Sequence, residues 1–247
     1  MEFTYASYRS LLGLLRENSY TFTDYHRYGE QSRCVILRHD IDNSLSQAVR
    51  LAEVEADLGV KSTYFVLLRT DFYNPASAAS QKALSRIQAL GHELGLHFDE
   101  MAYPQEGGSS TAVSSSTEEL IRHEGEILAD ICGCPITTVS MHRPSKATLE
   151  ADLRIPGMVN SYGQTFFHDF KYLSDSRRRW REPVEDIIRS GAYDRLHILT
   201  HAFWYHETEQ DIAQSVGAFV RAANSERYGQ MMDNITDLPS ILPREDI

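Results

Sequence analysis

Cysteine is scarce in this chain. Three occur in 247 residues: Cys34, Cys132 and Cys134. An odd count without regular spacing argues against a disulfide framework. Cys132-Gly133-Cys134 has one residue between the sulfurs, so it is not the C-x-x-C of a zinc knuckle or a redox pair. Small apolar packing is the expectation for all three. Long apolar runs are missing too, and no stretch approaches the roughly 18 residues of a membrane span. Met1 to Tyr8 lacks a cationic stretch followed by an apolar run, the mark of a secretory leader. The cytoplasm is therefore the expected compartment. Basic charge is in deficit, with 24 Lys and Arg against 35 Asp and Glu, a net −11. Nucleic-acid binding would call for a basic patch. There is no internal repeat. One low-complexity stretch, residues 107–116, is rich in Ser and Gly and reads as a flexible loop.

What is present is an alternation of strand and helix. The length suits one large α/β domain or two small ones, and a 42% hydrophobic content can bury a substantial core. Leu11, Leu12, Leu14 and Leu15 among Arg9, Arg16 and Glu17 predict an opening amphipathic helix. Cys34-Val35-Ile36-Leu37 is a short apolar run, as in a strand buried in a parallel sheet. Ser44-Leu45-Ser46-Gln47 has the form of a capping box, and Gly59 supplies a stop for the helix that follows. Further strands are expected at 62–68, 93–97, 138–141 and 196–200, with weaker ones at 158–162 and 170–174. Helices are expected at 75–90, from a second capping box at Ser116 to Glu119, at 183–189, and from Glu207 to about Arg221. Alternation of this kind implies a parallel sheet of about seven strands, open or closed into a barrel.

Polar residues collect where the strands end: Asp40 and Asp42; His97 and Asp99; His142 and Arg143; Asp175; His201. In parallel α/β folds these ends share one face, where active sites lie. Taken singly, an aspartate after a strand is usually a turn or cap residue, and a lone histidine is more often structural. Their co-occurrence carries the functional reading. Asp and His together suit a borderline divalent ion such as zinc. A second carboxylate, a histidine and an arginine complete the parts needed for hydrolysis.

The same residues resemble the polysaccharide deacetylases of carbohydrate esterase family four, the NodB-homology domain. Asp40-Ile41-Asp42 resembles the first motif. Gly91-His92-Glu93-Leu94-Gly95-Leu96-His97 resembles the second and is the most specific match. Arg143-Pro144 resembles the third, Asp175 with Trp180 the fourth, and Leu199-Thr200-His201 the fifth. The nearest likeness is to a divergent branch found with O-antigen and other surface-polysaccharide biosynthesis proteins. The resemblance implies a distorted (β/α) barrel of about seven parallel strands, of glycoside hydrolase/deacetylase type, in a single domain over residues 1–247. It implies Asp40 as base, Asp42 and His97 as ligands of a divalent metal, zinc by its donors, and His201 as general acid. Asp175 would orient His201, and Arg143 would contact Asp40.

One departure matters. The family's second histidine ligand falls four residues after the first, at Met101, a poor zinc ligand. His142 is the first choice to replace it, followed by Asp99 and His92; loss of tight metal binding is the remaining option. The expected activity is N-deacetylation of an N-acetylated amino sugar, free, nucleotide-linked or lipid-linked. Trp204, Tyr205 and Trp180 are candidate walls for the sugar, and ordinary core aromatics are the equal alternative. A decayed deacetylase fold that binds carbohydrate without turnover is the main rival. A hydrolase of non-sugar amides is the second.

Overall fold

Among the described residues, eight strands all pair in parallel: β1 Thr21–Thr23, β2 Cys34–Ile41, β3 Thr63–Leu67, β4 Glu93–Asp99, β5 Thr138–His142, β6 Val159–Asn160, β7 Lys171–Ser174 and β8 Arg195–Thr200. The computed structural model describes residues 1–103 and 115–244. Seven strands run in the order β6-β5-β4-β3-β2-β8-β7, and β1 lies along the first half of β2. The path ends at β6 and β7, so the sheet curls into a half-barrel. The helices are α1 Tyr5–Glu17, α2 Leu45–Asp57, α3 Ala78–Ala89, α4 Ser115–Cys132, α5 Lys146–Glu150, α6 Gln164–His168, α7 Val184–Ser190, α8 Ile212–Met232 and α9 Leu238–Ile241.

The described residues fall into two compact units. Met1–Glu207 holds every strand, and Thr208 onward holds α8 and α9. No described helix is long and apolar enough to cross a membrane. The low-complexity stretch lies outside the described residues as far as 114. Helix α4 begins at Ser115, one residue before the expected capping box.

Strand β2 shows how the sequence sorts its side chains. Successive residues of a strand face opposite sides of the sheet. Val35, Leu37 and Ile41 join the large core cluster with Leu11, Leu12 and Leu15 of α1 and Leu51 of α2. Cys34 and Ile36 join a second cluster inside the curl, with Tyr25, Phe65, Phe166 and Phe170. The apolar run stops at Leu37, and the strand was expected to carry Asp40 and Asp42 at its end. It continues to Ile41 and is buried throughout, because Arg38, His39 and Asp40 each find a partner inside the fold.

On the helix side, His39 meets a fully buried carboxylate. Glu55 accepts hydrogen bonds from Tyr8 (2.7 Å), Ser62 (2.6 Å) and Tyr64 (2.8 Å), and lies 2.9 Å from His39 Nε2. The other ring nitrogen of His39 is 2.6 Å from Thr200 Oγ1, which ties β2 to β8.

Two helix starts differ in detail from expectation. Ser44 caps α2 through the Gln47 N–H, but the Gln47 side chain accepts from the Tyr5 hydroxyl, so the box is not reciprocal. The last long helix starts at Ile212 rather than Glu207. Asp211 there forms a reciprocal box with Gln214, at 2.7 and 2.8 Å.

Gly95 of β4 sits where the sheet admits no side chain. A Cβ there would come within 2.6 Å of both Phe65 Cε1 and Thr138 Oγ1. Gly95→Ala is expected to destabilise the protein by about 1–3 kcal/mol, the usual cost of overpacking. A urea midpoint equal to that of the parent would refute this.

Candidate active site

The strand ends converge as the parallel topology requires. Asp42 follows β2, His97 lies near the end of β4, and His142 closes β5. Their ligand atoms all lie within 4.8 Å of one another. His97 Nε2 is 3.3 Å from Asp42 Oδ1 and 3.2 Å from His142 Nδ1, and His142 Nδ1 is 3.6 Å from Asp42 Oδ1. Asp42 Oδ1 is buried and makes no directed hydrogen bond. A buried carboxylate oxygen with no hydrogen bond, facing two imidazole nitrogens, fits a divalent ion. Burial would raise the Asp42 carboxyl, but the neighbouring imidazoles, His97 first, outweigh it and hold the carboxyl well below its usual range. Burial and the charge of His97 lower His142, which favours the neutral imidazole that binds metals. The second nitrogen of His97 has no partner, unlike most ligating histidines.

Asp40 stands beside this group, with Oδ2 3.7 Å from His97 Nε2. Its partner is Arg38, on the same strand and the same face. Arg38 donates from Nε to Oδ1 at 3.2 Å and from Nη2 to Oδ2 at 2.7 Å. The guanidinium also donates to Ser140 (2.6 Å), Ser161 (3.0 Å) and Tyr162 (3.5 Å). Arg38 is 0% exposed and Asp40 5%. Burial pushes the Asp40 carboxyl up, and the Arg38 charge overrides it and holds the carboxyl below its usual range.

His201 also reaches this group, its Nε2 3.8 Å from Asp42 Oδ2. Asp175, fully buried, accepts the His201 backbone N–H at 3.1 Å on each oxygen and meets ring Nδ1 at 2.7 Å. That contact assigns the proton on Nδ1 and turns Nε2 towards the site. Burial would lower the imidazole, but Asp175 outweighs it and raises His201 to about 9.

Arg143 is placed differently from the expectation that it contacts Asp40. Its Nη2 binds Asp99 Oδ2 at 2.6 Å, and its side chain is 66% exposed. The chain leaves β5 through a left-handed residue, Arg143 at φ +49°, just before Pro144. The guanidinium on Asp40 comes from Arg38 instead. A left-handed arginine costs roughly 1–2 kcal/mol.

The other candidates fall as follows. Asp99 is occupied by Arg143 and by the Met101 N–H at 3.0 Å. His92 is buried against Ala52 O (3.0 Å) and the Ser62 N–H (3.2 Å), at the start of β4. Met101 is 62% exposed. Tyr205 is a correction: its ring is fully buried against Phe3 (5.5 Å) and Tyr8 (5.3 Å), so it forms no sugar wall. Trp204 and Trp180 are half-buried on the core; Trp180 lines a separate cavity with Met1 and Pro183. Arg38 was missed. The signal for it was available: a charged residue two before Asp40 on a buried strand must share its face and needs a partner.

A scan against protein-family models finds no match, and neither does a search of curated proteins. Solved structures do show similarity. A carbohydrate esterase family four pseudoenzyme from Bacillus anthracis aligns with 79% of this chain at 12% identity and a TM-score of 0.44. The aligned part spans 62% of that protein's length. A polysaccharide deacetylase from Bacillus cereus aligns with 78% of this chain and 88% of its own, at 15% identity and 0.43. A family four acetyl xylan esterase from Clostridium thermocellum, in complex with a cobalt ion, covers 78% and 84%, at 14% and 0.39.

Proposed function

We propose that this chain is a metal-dependent hydrolase that removes the acetyl group from an N-acetylated amino sugar in the biosynthesis of a surface polysaccharide of O-antigen type. The observation that carries the reading is the convergence of Asp42, His97 and His142, with a paired carboxylate and a paired imidazole beside them. The motif resemblance supports the substrate class, and His142 fills the role that Met101 cannot.

A divalent ion held by Asp42, His97 and His142, zinc by the donor set, supplies Lewis acidity to the acetamide carbonyl and makes water acidic enough to attack near neutral pH. The chain's own residues do the rest. Arg38 keeps Asp40 ionised and fixed, so that Asp40 accepts the proton of the attacking water. His201 enters protonated, held by Asp175, and donates from Nε2 to the departing amine. The two groups are pushed to opposite protonation states by their different partners, as an acid and base pair requires.

The decayed-fold rival predicts little or no bound metal. Protein purified from zinc-supplemented medium is expected to hold about one equivalent, and Asp42→Ala to hold almost none while keeping its fold. Asp40→Asn is expected to keep the metal and lose about 10²–10⁴-fold in acetate release from N-acetylated amino sugars. Near-normal release by Asp40→Asn would remove Asp40 from its role.

A further inference from the structure

A cavity of about 810 Å³ opens directly onto the metal donors. Asp42 and His142 form its floor, and Arg69, Phe72, Met101 and Arg143 are among its walls. Two features of this cavity serve neither the fold nor the hydrolysis described above.

The first is the pair of arginines. Each is half-exposed or more, and each is anchored from behind by a buried carboxylate. Arg69 Nε donates to Glu124 at 2.8 Å; its side chain is 50% exposed and that of Glu124 only 1%. Its guanidinium also lies over the Tyr103 ring, 4.4 Å from the centroid. Arg143 is held on Asp99, whose side chain is 7% exposed. Both arginines line the same cavity. An arginine fixed along one edge by a buried carboxylate is pre-organised, and its remaining N–H groups can bind an anion in a set direction.

The second is the strained turn at Arg143. It places a guanidinium beside His142 and pairs it with the buried Asp99. Strain of this kind is a mark of positions held for function.

We propose that Arg69 and Arg143 bind the phosphate of a phosphate-bearing N-acetylated amino sugar whose acetamide lies at Asp42, His97 and His142. This rests on the deacetylation reading and narrows its substrate. A 2-acetamido sugar 1-phosphate carries the two groups on neighbouring ring carbons. His142 and Arg143 are neighbours in the chain and line the same cavity. Asp99 is already taken up by Arg143. Asp71 stands exposed at the rim, where solvent and salt screen it. Phe72 and Met101, 58% and 62% exposed, offer an apolar flank to whatever the phosphate carries. A nucleoside diphosphate sugar and a prenyl diphosphate sugar share this chemistry.

The test measures binding to zinc-loaded protein by calorimetry, with four probes: N-acetylglucosamine, its 1-phosphate, the uridine diphosphate sugar and a farnesyl diphosphate sugar. The 1-phosphate is expected to bind at least tenfold more tightly than the free sugar. Arg69→Gln and Arg143→Gln should each remove most of that preference; both sites are partly exposed, and circular dichroism would check their folding. If the uridine or the farnesyl probe binds more tightly than the 1-phosphate, that arm identifies the carrier. Equal affinity of all three phosphate probes would mean that the phosphate alone is recognised. Equal affinity for sugar and sugar phosphate, binding of no probe, or a preference that survives in both variants would overturn the site; survival would mean that the metal alone holds the phosphate. Acetate release is followed in the same samples. Phosphate preference without release would retire the hydrolase reading and leave this site standing. Release without preference would do the reverse.

Discussion

Replacing Arg38 with methionine is expected to lower the stability of the protein by about 3–5 kcal/mol, the range for stripping one partner from a buried ion pair. Acetate release should fall at least as far as in Asp40→Asn. The size of the effect comes from what remains. Asp40 would keep its place inside the curl with neither oxygen paired to a guanidinium. Ser140 and Ser161 would lose the donor they share. A buried carboxylate without a counter-charge relieves itself by taking up a proton. A protonated Asp40 no longer serves as a base. Stability and turnover therefore fail together from one cause.

Two further variants separate that cause from simple loss of packing. Arg38→Met combined with Asp40→Leu removes both charges, so it should recover most of the lost stability and none of the turnover. Arg38→Lys keeps the charge but not the two-pronged geometry, and is expected to fall between parent and Arg38→Met in both measurements. Urea unfolding and acetate release read the series. A single Arg38→Met variant as stable and active as the parent would remove Arg38 from the site.

The parallel α/β class and the strand-end cluster were legible because both rest on simple periodicities. Polar residues at the ends of several parallel strands must meet on one face, and Asp42, His97 and His142 do. Arg38 was not legible as a partner because a charged residue next to an apolar run reads as the end of burial. Here it is the opposite: β2 stays buried through Ile41, and its polar residues pair across opposite faces, Arg38 with Asp40 inside and His39 with Glu55 outside. Arg143 resembled a motif arginine in sequence, but its left-handed turn, invisible in residue type, sends it to Asp99. Tyr205 is one residue from Trp204, yet its ring belongs wholly to the core. Strand β1 is three residues long, too short to produce a pattern.

His197 should make this protein sensitive to acid. His197 is fully buried inside the curl. Its Nε2 is 2.8 Å from the Tyr25 hydroxyl, and its Nδ1 makes no well-directed hydrogen bond. The rings of Phe166 and Tyr172 pack on it. Burial, and next the charge of Arg38, depress it to about 3; Asp40 only partly opposes this. The unfolded chain binds a proton on this residue below about 6.5. The folded chain does not until near 3, so stability rises with pH across that window and is lost as pH falls through it. The shift corresponds to about 5 kcal/mol at its lower end, by the usual 1.36 kcal/mol per unit. Glu55 adds a second loss further down. Burial would raise it, but His39 outweighs burial and lowers it to about 2. Its contribution is complete above its unfolded value of about 4.5 and disappears towards 2. Losses of this size rival the 5–15 kcal/mol total of a typical domain. Urea midpoints at pH 7.5, 6.0 and 5.0 should therefore fall further in the parent than without His197, although His201, raised to about 9, gains stability over the same steps and offsets part of the loss. His197→Gln keeps a hydrogen-bonding group for Tyr25 and removes the titration, so its midpoints should fall much less over the same steps. Parallel curves for the two proteins would show that His197 is not what makes the fold sensitive to acid.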